Sequence, residues 1–188
     1  LARECNEYGA RLVADRPTRW GMFATLPLPD VDGALREIEY AFDTLKADGA
    51  CFMSSYDGKY LGDPMFAPVM DELNRRRAVC YTHPFRGAMI GMLPDNRALG
   101  ITLTTETTLT IQSILHTGTA TRCPSIRYIW SHGGGTAPYI TGRLGAAIGP
   151  DGKPNANMAA LQKFYYDTAQ AFNEYTLPTF TKVVPMSH

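Results

Sequence analysis

The sequence carries no excess of charge of either sign. Lys and Arg total 18 and Asp and Glu total 18 over 188 residues, so the formal net charge is zero. That balance offers no electrostatic footprint for nucleic acid or an anionic membrane, and neither is expected as a partner. The one dense basic run, Arg75-Arg76-Arg77, falls where a helix should end, and cations there complement the helix dipole. Cysteine is scarce: Cys5, Cys51, Cys80 and Cys123 are the four, and no pair has C-x-x-C spacing. Cys51 and Cys80 fall in apolar, strand-like segments, where a free thiol packs as a small hydrophobe. This usage excludes a disulfide scaffold and fits a reduced, intracellular protein, with the cytoplasm as the expected compartment. No signal peptide is expected, and the sequence has no apolar run long enough to span a bilayer. The chain opens on Leu1 rather than Met, and the natural N-terminus is expected to be absent.

What is present alternates short apolar runs with amphipathic stretches. Trp20 to Leu28 reads as a strand closed by Pro27 and Pro29. Asp30 or Asp32 then caps a helix whose apolar positions Ala34, Ile38, Ala41, Phe42 and Leu45 follow a 3.6-residue period. Ala50 to Ser54 is a second strand. Asp63-Pro64 starts a helix with a capping carboxylate and a proline at the first helical position. Ala78 to His83 is a third strand, followed by a loop with Gly87, Gly91, Pro94 and Gly100. A helix is expected near Thr105 to Thr117, a fourth strand over Ser125 to His132, and a helix from Thr136-Pro138 through about Ala147. A further helix near Asn157 to Lys163 leads to a fifth strand, Phe164 to Ala169. Strand and helix in alternation mean parallel pairing with helical crossovers. The near-continuous apolar content of the strands predicts burial of both faces. Residues 1–188 therefore form one α/β domain, either an open doubly wound sheet or part of a barrel. A full (β/α)8 barrel takes about 250 residues.

Four histidines are candidates for chemistry: His83, His116, His132 and His188. His83 and His132 each end a strand, and in parallel α/β folds ligands bind outside the carboxyl ends of strands. Two imidazoles at two such ends can converge for metal ligation or proton transfer near neutral pH. A structural role for each is the competing reading. His116 lies off the Ile111/Ile114/Leu115 stripe and reads as a solvated helix position. His188 supports no inference. Ser131-His132-Gly133-Gly134-Gly135 could cradle phosphate on backbone N–H groups, but neither G-x-G-x-x-G nor a P-loop occurs. An esterase oxyanion loop would need a G-x-S-x-G elbow, and no serine has glycine two residues before it. Arg143 could take a carboxylate in bidentate fashion or lie on the surface. Asp167, in an apolar strand, is either near that strand's functional end or paired structurally.

Several pieces, in order, give a resemblance. They are Pro17-Thr18-Arg19-Trp20, Phe23 to Pro27, Asp48-Gly49-Ala50, Thr82-His83-Pro84, and Ser131 to Gly135 with Pro138 and Gly142-Arg143. Together they resemble the amidohydrolase-related, metal-dependent decarboxylases, which include aminocarboxymuconate-semialdehyde, resorcylate and methylsalicylate decarboxylases. The stretch Tyr56 to Pro64 leans toward the methylsalicylate branch. The resemblance implies a (β/α)8 TIM barrel of the metal-dependent hydrolase fold, present in part, with the five strands as its third to seventh. It implies non-oxidative decarboxylation of an aromatic or unsaturated carboxylic acid by a carbon-carbon lyase. It implies that His83 is a metal ligand, that His132 acts in catalysis beside the metal, and that Arg143 reaches the substrate carboxylate, in some members across a homodimer interface. Phe85 would line the substrate pocket or pack in the core. The metal would be divalent, zinc most often and manganese in some members. The family also needs an H-x-H or E-x-H pair on its first strand and an aspartate on its last; the chain has neither. Residues 1–188 alone are therefore expected to be inactive. The rival readings are a metal-dependent hydrolase of a lactone or amide, and a catalytically inactive barrel fragment.

Overall fold

The computed structural model describes residues 1–85, 99–169 and 173–187. Five strands form one parallel sheet: β1 (Phe23–Thr25), β2 (Gly49–Met53), β5 (Val79–His83), β6 (Arg127–Trp130) and β7 (Tyr165–Tyr166), in the order β1-β2-β5-β6-β7. A small antiparallel hairpin, β3 (Ser55–Tyr56) and β4 (Lys59–Tyr60), leaves the end of β2. Its turn, Asp57-Gly58, has φ of 49° and 74°, the left-handed pair that a tight hairpin needs and that Asp-Gly supplies. The helices are α1 (Ala2–Asp15), α2 (Val31–Glu39), α3 (Ala67–Arg75), α4 (Leu99–His116), α5 (Thr119–Arg122), α6 (Ala156–Lys163) and α7 (Leu177–Val183). This is a five-strand arc of a (β/α)8 barrel.

Local sequence explains the helix starts. The Asp30 carboxylate accepts the Gly33 N–H at 2.9 Å. Asp63 does the same for Met65, with Pro64 next in line. Asn155 caps α6 by accepting the Met158 N–H at 2.9 Å. Each satisfies a donor that the helix itself cannot. Ala34, Ile38 and Ala41 are wholly buried along one stripe, as are Val69 and Leu73 on α3.

The strands have two unlike faces. Ala24, Ala50, Phe52, Cys80, Thr82, Tyr128, Trp130 and Tyr166 are buried within the core that the helices share. Within that core Tyr128 stacks on Trp130 at 5.3 Å, and Phe164 meets both edge-on. The alternate residues Thr25, Cys51, Met53, Tyr81, His83 and Ile129 are half-buried or exposed. Burial of both faces, expected from the apolar runs, is thus not what the strands show. Five strands make an arc, so nothing among the described residues stands opposite the second face. One edge is covered all the same. Asn6 of α1 donates to the Thr25 carbonyl at 2.9 Å and accepts the Thr25 N–H at 2.8 Å. The helix therefore supplies the pairing that a neighbouring strand would give β1.

Other expectations change in detail. The first strand is three residues rather than Trp20 to Leu28, and Trp20 is exposed. The helix expected near Thr105 begins at Leu99 and includes Gly100; Gly87, Gly91 and Pro94 lie outside the described residues. The helix expected from Thr136 to Ala147 is two 3-10 turns, Ala137–Tyr139 and Thr141–Leu144. Ile140 leaves the helical region between them, and Gly145 ends the second turn at φ 65°. The fifth strand stops at Tyr166 because the Asp167 side chain turns back on main-chain amides.

The arginine run ends α3, as its dipole role requires. Arg76 also forks onto Asp43 at 2.7 and 2.8 Å and reaches Glu72 at 2.6 Å, while Arg75 holds Glu72 at 2.6 and 2.7 Å. Bonding to Arg75 first, and then to Arg76, lowers the Glu72 pKa from 4.5 to about 2. A depressed carboxylate pKa stabilises the fold above the unfolded value, and that stability is lost as pH falls through the folded one. The Arg75→Met/Arg76→Met double variant should therefore be less stable than wild type at neutral pH. The gap should close between about pH 4.5 and about pH 2, as read from urea midpoints across that range. A gap independent of pH would show that the two arginines act through packing alone.

Candidate functional site

Parallel pairing sets the site. Thr82 lies beside Trp130 in the β5–β6 ladder, so His83 and His132 both emerge at the carboxyl rim of the sheet. Their rings meet edge to face, with centroids 5.3 Å apart at 63°. His83 is exposed, and its Nδ1 lies 3.1 Å from the Pro84 carbonyl oxygen. A carbonyl only accepts, so Nδ1 carries the proton and Nε2 keeps a free lone pair. That is the tautomer of an imidazole prepared for a metal. His132 is half-buried, and its Nδ1 is buried with no hydrogen-bond partner among the described residues. Burial lowers the His132 pKa, and the nearby His83 lowers it further; the Asp167 carboxylate opposes them. The net shift favours the neutral ring over the imidazolium.

The glycine loop serves packing. The N–H groups of Gly133, Gly134 and Gly135 donate to Asp167 O, Ser131 O and His132 O, all at 3.0 Å. No N–H of that run is left to cradle a phosphate. A Cβ on Gly134 would strike the Tyr166 ring at 2.6 Å, and one on Gly135 would strike the Thr104 carbonyl at 2.2 Å. Glycine here lets the loop lie against β7 and α4.

A groove of about 420 Å³ is walled by Leu28, Pro29, Met53, Tyr56 and Phe85; neither histidine lines it, but Met53 is the register partner of His83. Phe85 donates its N–H to Ser54 Oγ at 3.0 Å, and Ser54 donates to Glu106 Oε2 at 3.0 Å. Tyr60 of the hairpin donates to Glu106 Oε1 at 3.2 Å. The buried carboxylate on α4 thus ties the hairpin and the Phe85 segment together. Ser54, Tyr60 and Glu106 were not among the expected site residues; the Asp57-Gly58 dipeptide is a hairpin signal in the sequence, and nothing local marks Glu106.

The structure does not bring Arg143 to the histidines. It is exposed on the 3-10 turn Thr141–Leu144, beside a separate surface concavity with Tyr139 and Ile140. His116 is exposed at the end of α4, and His188 lies outside the described residues. Among the described residues no group of three or more His, Cys, Asp or Glu side chains could hold a metal ion. No described helix is long and apolar enough to cross a membrane.

The paired imidazoles stand at the carboxyl ends of adjacent parallel strands, the rim at which parallel α/β folds bind ligands. The amidohydrolase family model matches residues 1–175, and the chain belongs to that family. A decarboxylase of Aspergillus niger is 39% identical over 189 residues, which covers 93% of this chain and 51% of that protein. The 6-methylsalicylic acid decarboxylase of Aspergillus aculeatus is 36% identical over 203 residues, 100% of this chain and 61% of the relative. The chain thus spans about half to three fifths of the length of these curated relatives. The fold matches the 2,6-dihydroxybenzoate decarboxylase of Rhizobium at a TM-score of 0.76 and 24% identity, covering 97% of this chain and 62% of that one. It matches a dihydroxybenzoic acid decarboxylase of Polaromonas, solved with manganese and 2-nitroresorcinol, at 0.77 and 22%, covering 97% and 60%.

The glycine loop gives a direct test. Gly135→Ala combines a φ of 65° with a backbone clash, whereas Gly152→Ala has a φ of 76° in open space. The first should cost at least about 2 kcal/mol and the second about 1 kcal/mol, read by chemical denaturation. Equal losses would show that contact with α4 does not constrain the loop.

Proposed function

We propose that the whole protein is a metal-dependent carboxy-lyase that removes CO2 from an aromatic or unsaturated carboxylic acid without oxidation. The observation that carries this reading is the His83–His132 pair at the carboxyl rim, 5.3 Å between ring centroids, in a chain whose relatives include aromatic-acid decarboxylases. His83 fits a divalent cation through Nε2, since Nδ1 is already held by Pro84. The described residues supply no complete ligand set, so the remaining ligands would come from elsewhere in the whole protein. Zinc and manganese are the proposed metals, and a metal bound there supplies Lewis acidity toward the carboxylate and a neighbouring oxygen.

The chain's own residues do the rest. The aromatic body of the substrate lies in the groove of Leu28, Met53, Tyr56 and Phe85, which excludes water from one face of the ring. As the bond to the carboxyl carbon breaks and CO2 departs, the electron pair left on the ring carbon takes a proton. His132 takes a proton from solvent and delivers it to that carbon as the imidazolium. Its lowered pKa makes the imidazolium a stronger acid, which favours transfer to carbon. Arg143 would meet a substrate carboxylate only from a second subunit, so its proposed role goes with a homodimer. The cytoplasm is the proposed compartment.

Two substitutions in the whole protein test the assignments. His83→Ala should lower bound metal sharply; unchanged stoichiometry would remove it as a ligand. His132→Asn should keep the metal and lower kcat by roughly 10²–10⁴-fold; normal turnover would return His132 to a structural role. CO2 release from hydroxybenzoic acids, set against hydrolysis of lactones and amides, decides the reaction class. Residues 1–188 expressed alone should bind metal poorly and release no CO2.

A further inference from the structure

Five hydrogen bonds converge on one residue at the carboxyl rim. Asp167 Oδ1 accepts the His132 N–H at 2.7 Å and the Ala169 N–H at 3.0 Å. Asp167 Oδ2 accepts the Tyr81 hydroxyl at 3.3 Å. The Asp167 carbonyl accepts the Gly133 N–H at 3.0 Å, and its own N–H donates to the Trp130 carbonyl at 3.0 Å. These bonds run from the end of β7 to the end of β6 and on to β5. At their centre His132 sits at φ 54°, a left-handed conformation that a residue with a Cβ keeps only when its surroundings over-determine it.

Resting on the decarboxylase reading, we infer that Asp167 is a positioning residue for His132. Its carboxylate fixes the His132 main chain in the left-handed conformation and so sets the imidazole against His83. It acts through the backbone and does not touch the substrate. Both of its oxygens are occupied by amide or hydroxyl donors, and no hydrogen bond joins them to the His132 ring among the described residues. The next three amides of the loop are held by Asp167 O, Ser131 O and His132 O, so the loop closes on itself and on Asp167. Loss of the carboxylate therefore frees the loop that carries the catalytic candidate, rather than removing a charge from the reaction.

Two variants of the whole protein separate geometry from charge. Asp167→Asn keeps an oxygen for the two amides and an amide group toward Tyr81, without the charge. Asp167→Ala keeps neither. The alanine variant should lose about 100-fold in kcat, the scale of a 1 Å misplacement, with KM and bound metal little changed. Its crystal structure should show the His83–His132 rings displaced from their 5.3 Å separation. The asparagine variant should keep that separation and most of kcat. An alanine variant with full kcat and unmoved rings would overturn the inference. So would an asparagine variant as impaired as the alanine one with its rings in place, because charge would then be the operative property. If the alanine variant fails to fold, the asparagine variant decides alone. If the wild-type protein releases no CO2 from any acid tested, the decarboxylase reading fails, and ring geometry in the variants still decides whether Asp167 braces His132.

Discussion

Parallel strands cannot be joined by a tight turn. Each crossover returns the chain to the same end of the sheet, so every strand delivers its last residue to one rim. In this protein that constraint brings together residues far apart in the chain. The Thr82–Trp130 pairing puts His83 beside His132, and the Trp130–Tyr166 pairing adds Asp167. The groove wall follows from the same rule, because Met53 lies beside His83 in the ladder. A slip of one residue in the β5–β6 register would turn the alternation over, exposing Trp130 and burying its neighbours. The stack of Tyr128, Trp130 and Phe164 resists that slip, so the deepest part of the core also sets the geometry of the rim.

Buried polar groups do the fine positioning. Asn6 matches the N–H and the carbonyl of Thr25, and Glu37 holds Asn6 in turn at 2.8 Å. Glu106 gathers Ser54 and Tyr60, and through Ser54 the Phe85 amide. Asp167 gathers His132, Ala169 and Tyr81. Asn6 and the half-buried Asp167 hold main-chain groups directly, while the buried Glu106 acts through the Ser54 and Tyr60 hydroxyls. Such groups are costly to leave unmatched and therefore specific once matched.

The sequence by itself determined the alternation of elements, a helix cap at Asp30 or Asp32, the cap at Asp63, and the two histidines at strand ends. Those are local properties: apolar period, capping chemistry, and the position of a residue relative to a run. It also carried the ordered pieces that resemble the amidohydrolase decarboxylases. Tertiary structure alone decided the rest. Arg143 lies on the second of two 3-10 turns where one helix was expected. The glycines resembled an anion cradle until their amides were seen to be satisfied within the loop and by Asp167. Asp167 could be read either way from FYYDTA, because its partners Tyr81 and His132 are 86 and 35 residues distant. Spacing along the chain reports which face or end a residue occupies. Which donors and acceptors meet there depends on how separate strands are brought into register, and that is settled only when the sheet forms.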